Sequence, residues 1–112
     1  MLTHLCDLDA LDAAIEESRV RPVLLFKHSR TCGISHEALD ALHELVEQGS
    51  AEGAAYKVIT VQSHRHISEL AERRLGVRHE TPQAILLKDG KPVWKASHFR
   101  ITTEALTQAL NS

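Results

Sequence analysis

Apolar positions along the chain change period in a regular way. Leu8, Leu11, Ala14 and Ile15 recur at helical spacing, and Asp7 or Asp9 stands where a cap for that segment belongs. Pro22 interrupts, and Val23-Leu24-Leu25-Phe26 reads as a buried strand. Ile34, Ala38, Ala41, Leu42, Leu45 and Val46 form the apolar stripe of a second helix, which ends at a polar loop over 48–53. Val58-Ile59-Thr60-Val61 is β-branched and predicts another buried strand. Ile67, Leu70, Ala71 and Leu75 return to helical spacing, with Gly76 as the stop. Ala84-Ile85-Leu86-Leu87 is a further strand, and Asp89-Gly90 turns it into a hairpin with Val93-Trp94-Lys95-Ala96. Thr102 caps a last helix, and Ile101 staples onto Leu106. A short strand near Thr3 opens the chain.

Strands alternating with helices predict a parallel sheet covered on both faces, to which the hairpin adds an antiparallel edge strand. The expected fold is therefore α/β. It is a three-layer α/β/α arrangement of thioredoxin-like element order, around a central mixed sheet of four to five strands. No repeat, low-complexity tract or linker divides the 112 residues, so one domain is expected over 1–112.

Composition narrows the function classes. Hydrophobic residues at 43% and charged residues at 25% suit an ordered globular chain. Thirteen Lys and Arg against fifteen Asp and Glu leave a net charge of −2, so no basic excess points to nucleic acid. The apolar runs are too short to span a membrane, and the acidic opening MLTHLCDLDALD has no signal-peptide core. Two cysteines, Cys6 and Cys32, do not make a disulfide framework. A cytoplasmic monomer is the expectation.

Candidate chemistry centres on Cys32. The run from Phe26 to Ser35 passes from a buried strand into a helix, and Cys32 is expected in the first helical turn. Free N–H groups and the positive end of the dipole favour a thiolate there, and Lys27, His28 and Arg30 add positive charge nearby. A thiolate is the nucleophile of disulfide exchange. Three residues on stands Ser35, so the motif is C-x-x-S. Its hydroxyl is expected to donate to the thiolate but cannot close a disulfide, so another thiol must resolve any mixed disulfide. Cys6 is the one internal candidate and reads as a packing residue. Thr81-Pro82 precedes the Ala84 strand. Most X-Pro bonds are trans, so only the fold implies a cis-proline beside the cysteine, with Thr81 offering its backbone to an extended substrate.

These residues carry a resemblance. FKHSRTCGIS, GVRHETPQAILLKDGKPVW and KASHFRIT, in that order, resemble the monothiol bacilliredoxin family of thioredoxin-like proteins over about Val23 to Leu110. The resemblance implies a thiol-disulfide oxidoreductase that takes bacillithiol off protein mixed disulfides. Cys32 is then the nucleophile, Thr31, Gly33, Ile34 and Ser35 complete its motif, and Thr81 and Pro82 face the substrate. Bacillithiol is a co-substrate and no cofactor is bound; the partners are S-bacillithiolated clients and bacillithiol itself. Bacillithiol's malate has two carboxylates, for which Lys27, Arg30 or Arg78 are the candidate receivers. His28 and His98, both within the matching runs, are candidates for tuning the thiolate. Gly33 stands where the commonest family motif has Pro, which loosens the helix start.

Two other function classes fit parts of this pattern. Cys32-Gly33-Ile34-Ser35 also resembles the C-G-F-S motif of monothiol glutaredoxins, which carry an iron–sulfur cluster; their Gly-Gly-x-Asp run is replaced here by Ser97-His98-Phe99-Arg100. A thioredoxin fold that has lost its redox cycle would be a binding module. Of the eight histidines, His4, His36, His43, His64, His66 and His79 fit no metal-ligand frame, and no metal is expected.

Overall fold

In the computed structural model, residues 2–48 and 53–111 are described. The chain runs β1 (Leu2–His4), α1 (Leu8–Glu17), β2 (Val23–His28), α2 (Gly33–Glu47), β3 (Ala55–Thr60), α3 (Arg65–Leu75), β4 (Gln83–Lys88), β5 (Lys91–Ser97), a 3-10 turn (His98–Arg100) and α4 (Thr103–Asn111). Of the polar loop expected over 48–53, residues 49–52 lie outside the described residues.

The five strands form one mixed sheet in the order β1-β3-β2-β4-β5. β2 lies at the centre and is buried at all six positions, which is why its sequence is a continuous apolar run rather than an alternation. Its residues nevertheless alternate between two cores. Leu24 and Phe26 pack with Ala38, Leu42 and Leu106 beneath α2 and α4. Val23 and Leu25 pack with Leu11, Ile67 and Ala71 beneath α1 and α3. Helices therefore cover both faces, as the three-layer expectation requires.

Local chemistry ends the elements where the sequence signals stand. The Asp7 carboxylate accepts the Ala10 N–H at 2.8 Å, capping α1. Gly76 closes α3 in the left-handed conformation, at φ 68°. Asp89 and Gly90 both have positive φ, 57° and 76°, the pairing that a two-residue hairpin turn requires. The Thr102 hydroxyl accepts the Ala105 N–H at 3.1 Å, and Ile101 and Leu106 share one core. Among the described residues, no helix is long and apolar enough to cross a membrane.

One expectation needs correction. β1, β3 and β2 are mutually parallel, but β4 runs antiparallel to β2 rather than extending the parallel set, and β5 is antiparallel to β4. The eleven residues of α3 descend about 16 Å along the sheet. The non-helical segment 76–82 is long enough, at about 3.3 Å per residue, to climb that height again. Strand β4 therefore starts where β2 ends. Phe26 lies opposite Ala84 and Lys27 opposite Gln83, which sets the loop after β2 beside the turn before β4.

Candidate active site

Cys32 is the N-cap of α2, in extended conformation at φ −110° and ψ 120°, and half-buried. It thus stands one position ahead of the expected first turn. The cap is where an acceptor side chain normally meets the free N–H groups that open a helix. The Cys32 side chain makes no capping hydrogen bond to α2. The loop ahead of the sulfur is held from β3's end: the Arg30 N–H donates to Gln62 Oε1 at 3.0 Å. The Gln62 amide donates to Ser29 Oγ at 2.8 Å and Thr31 Oγ1 at 3.3 Å. The His36 ring Nε2–H donates to the Arg30 carbonyl at 2.7 Å. Gly33 opens the helix, exposed, with open space where a Cβ would sit. Ile34 faces a shallow groove with Phe99 and Ile101.

Ser35 does not serve the sulfur. Its hydroxyl is fully buried, accepts the Ser29 N–H at 2.9 Å and shares a 2.8 Å hydrogen bond with His28 Nδ1. At the third helical position its side chain turns inward to β2. His28 is correspondingly a brace for Ser35: its ring stacks on Phe26 and meets His36 edge-on. Burial, and then the neighbouring charges of His36, His4 and Arg30, hold His28 below the usual histidine range, so it is a neutral ring at pH 7.

Lys27 also departs from expectation. Strand alternation turns it to the α3 face, where it is fully buried and cannot receive a solute's carboxylates. Its Nζ lies 3.2 Å from His79 Nδ1, and burial pushes its pKa down to about 8 against the opposing pull of Glu72. Arg30 and Arg78 are exposed at the same end of the sheet, and the Arg78 carbonyl accepts the Gln83 amide at 3.0 Å.

The Thr81-Pro82 peptide bond is cis. His98 is tied to that turn through its backbone, its N–H donating to the Pro82 carbonyl at 3.0 Å while its φ is 56°. Thr31 and Thr81 line a cleft of about 400 Å³ together with Ser29, Gln62, Arg65 and His79. Cys6 is exposed after β1, with its sulfur 3.9 Å from the His4 carbonyl; β1 is an edge strand, separated from β2 by β3. Among the described residues, no group of three His, Cys, Asp or Glu side chains could hold a metal ion.

Gln62 and Ser68 escape the sequence reading, and His79 enters it only as a histidine outside any metal-ligand frame. Gln62 is one polar residue after a strand and carries no signal. His79 had one, since it stands two residues ahead of Thr81-Pro82.

The profile of the monothiol bacilliredoxin BrxC family matches residues 3–106. The chain belongs to the monothiol bacilliredoxin family. Among solved structures it is similar to a candidate oxidoreductase with a thioredoxin fold, at 30% identity and TM-score 0.85, covering 96% of this chain and 92% of that one. Thioredoxin from Fasciola hepatica matches at 16% identity and TM-score 0.77 over 97% of this chain and 96% of that one. A mutant thioredoxin from Halobacterium salinarum matches at 21% and 0.76 over 98% and 88%. The two thioredoxins speak for the fold alone. A bacilliredoxin on that fold is a thiol oxidoreductase, and this one has a single motif thiol.

Proposed function

We propose that this protein frees client cysteines from bacillithiol by a monothiol exchange at Cys32. One observation carries the reading: the motif's only thiol caps α2, and its second position is a serine whose hydroxyl is already bound to His28 and Ser29. A thiolate at Cys32 attacks the bacillithiol sulfur of a client mixed disulfide. The S–S bond breaks, the client leaves as a thiolate that takes up a proton, and Cys32 carries the bacillithiol. Ser35 cannot close a second disulfide, so the adduct persists until another bacillithiol attacks it, restoring the Cys32 thiolate and releasing oxidised bacillithiol. The cis Thr81-Pro82 turn offers backbone groups to the extended disulfide. Bacillithiol is a substrate on this reading, not a resident cofactor. The partners are bacillithiolated cytoplasmic proteins, met by a monomer that binds no nucleic acid.

Intact-mass spectrometry after mixing with a bacillithiolated peptide tests the reading. Wild-type protein gains the mass of one bacillithiol, and Cys32→Ser gains none. Absence of the adduct on wild type, with visible iron–sulfur absorbance after anaerobic reconstitution with a small thiol, would overturn it in favour of a cluster carrier.

A further inference from the structure

Lys27 is a fully buried cation with no part in the exchange at Cys32 so far. Its Nζ is 3.2 Å from Nδ1 of His79, and Ser68 Oγ lies 3.1 Å from the same nitrogen. The His79 N–H donates to Glu72 Oε2 at 2.6 Å, which fixes the backbone carrying the ring. His79 lines the cleft together with Thr31 and Thr81, the residues next to Cys32 and Pro82, so one imidazole joins the buried amine to a residue of that cleft. Gln83, opposite Lys27 in the neighbouring strand, has a buried amide oxygen without a hydrogen-bond partner among the described residues. The amine's surroundings are thus polar on more than one side.

We propose that Lys27 and His79 form a proton relay that serves the thiol exchange, with Lys27 as the reservoir and His79 Nε2 as the group that meets the substrate sulfur. The inference rests on the proposed exchange at Cys32 and assigns its protons. At rest Lys27 is an ammonium donating to His79 Nδ1, which places the imidazole hydrogen on Nε2. When Cys32 displaces the client thiolate, Nε2–H gives its proton to the departing sulfur and Nδ1 takes one from Lys27. The products are a client thiol, a Cys32 mixed disulfide and a neutral amine. The incoming small thiol then gives its proton to Nε2, Nδ1–H returns one to Lys27, and the new thiolate attacks the adduct. Cys32 leaves as a thiolate. Over the cycle the proton of the resolving thiol ends on the client, and nothing is drawn from bulk water.

The electrostatics suit such a shuttle. Lys27 titrates at about 8, near the range of ordinary thiols. Burial and then the Lys27 charge hold His79 below the usual histidine range, so the ring is neutral when Lys27 is charged. Glu72, Arg65 and Glu69, all on α3, are the other charged groups acting on it, and the two carboxylates oppose Arg65.

The test is the pH profile of client release from a peptide mixed disulfide, with wild type, Lys27→Met and His79→Gln. The bacillithiolated peptide is used first and a glutathionylated one beside it. Wild type is expected to lose rate as pH rises through about 8, as the acid is titrated away. Each variant should be slower at pH 7 by about tenfold or more and should lack that falling limb. Lys27→Met alters a fully buried position, so His79→Gln at a half-buried site decides the matter if the first variant fails to fold. A folded variant within twofold of wild type at pH 7, with the limb intact, overturns the relay. Wild type that clears only the glutathionylated peptide overturns the bacillithiol reading, and the same comparison on that peptide decides the relay. Wild type that clears neither overturns both.

Discussion

Ser35 and Lys27 show how much one side chain's direction decides at this site. Ser35 was legible as the residue that forbids an internal disulfide, because a hydroxyl in place of a thiol is plain in the sequence. Its bonding to Ser29 and His28 was not, because i to i+3 spacing gives adjacency on a helix but not which way a short side chain turns. Ser35→Ala strips the Ser29 N–H and His28 Nδ1 of a buried partner. It should lower stability by about 1–3 kcal/mol, read as a fall in denaturant midpoint at unchanged slope. Lys27 looked like a surface charge near the cysteine, yet alternation along β2 buries it. Its folded pKa, about 8, is below the ordinary 10.5. Below pH 8 both folded and unfolded chains hold the proton, and the folded state bears the full penalty of a buried charge. Between pH 8 and 10 the folded chain releases it first, so stability should rise with pH over that window by about 2–3 kcal/mol. Urea titrations at stepped pH check this. Lys27→Met should stabilise the protein at pH 7 and flatten the rise.

At the level of elements, boundary residues were the most readable part of the chain. Asp7, Gly76, Asp89-Gly90 and Thr102 each act through a local rule, and local rules survive folding. What the sequence hid was the direction of β4. That direction depends on 76–82 being extended rather than on any residue within the strand. The start of α2 yields a prediction of its own. Cys32 has φ −110° and ψ 120°, the region a following proline demands, and Gly33 occupies the first helical position with open space where a Cβ would sit. Gly33→Pro should therefore raise stability by about 0.5–1 kcal/mol by narrowing the unfolded ensemble. Calorimetry should show this as a rise in Tm of roughly 2–6 °C for a domain of this size.

For the whole molecule, the two cysteines are set apart by topology. Cys6 follows an edge strand, whereas Cys32 follows the central one. Cys6→Ser should leave both the Cys32 adduct and steady-state turnover within about twofold of wild type, as external thiol does the resolving. Loss of turnover with the adduct still forming would instead make Cys6 the resolving group. Acid should weaken the fold through His28, whose folded pKa lies below the usual value. As pH falls below about 6.5 the unfolded chain gains a proton that the folded one resists, and stability drops. A thermal-melt series from pH 7 to 5 checks the sign. The antiparallel placement of β4 has a last consequence, for synthesis. Phe26 must wait for Ala84, and Lys27 for Gln83, before the two halves of the site meet. A chain growing on the ribosome displays Cys32 well before Pro82 is made. Until the last third of the protein emerges, the loop that carries Cys32 stands at the edge of an unfinished sheet, without the turn that β4 brings beside it.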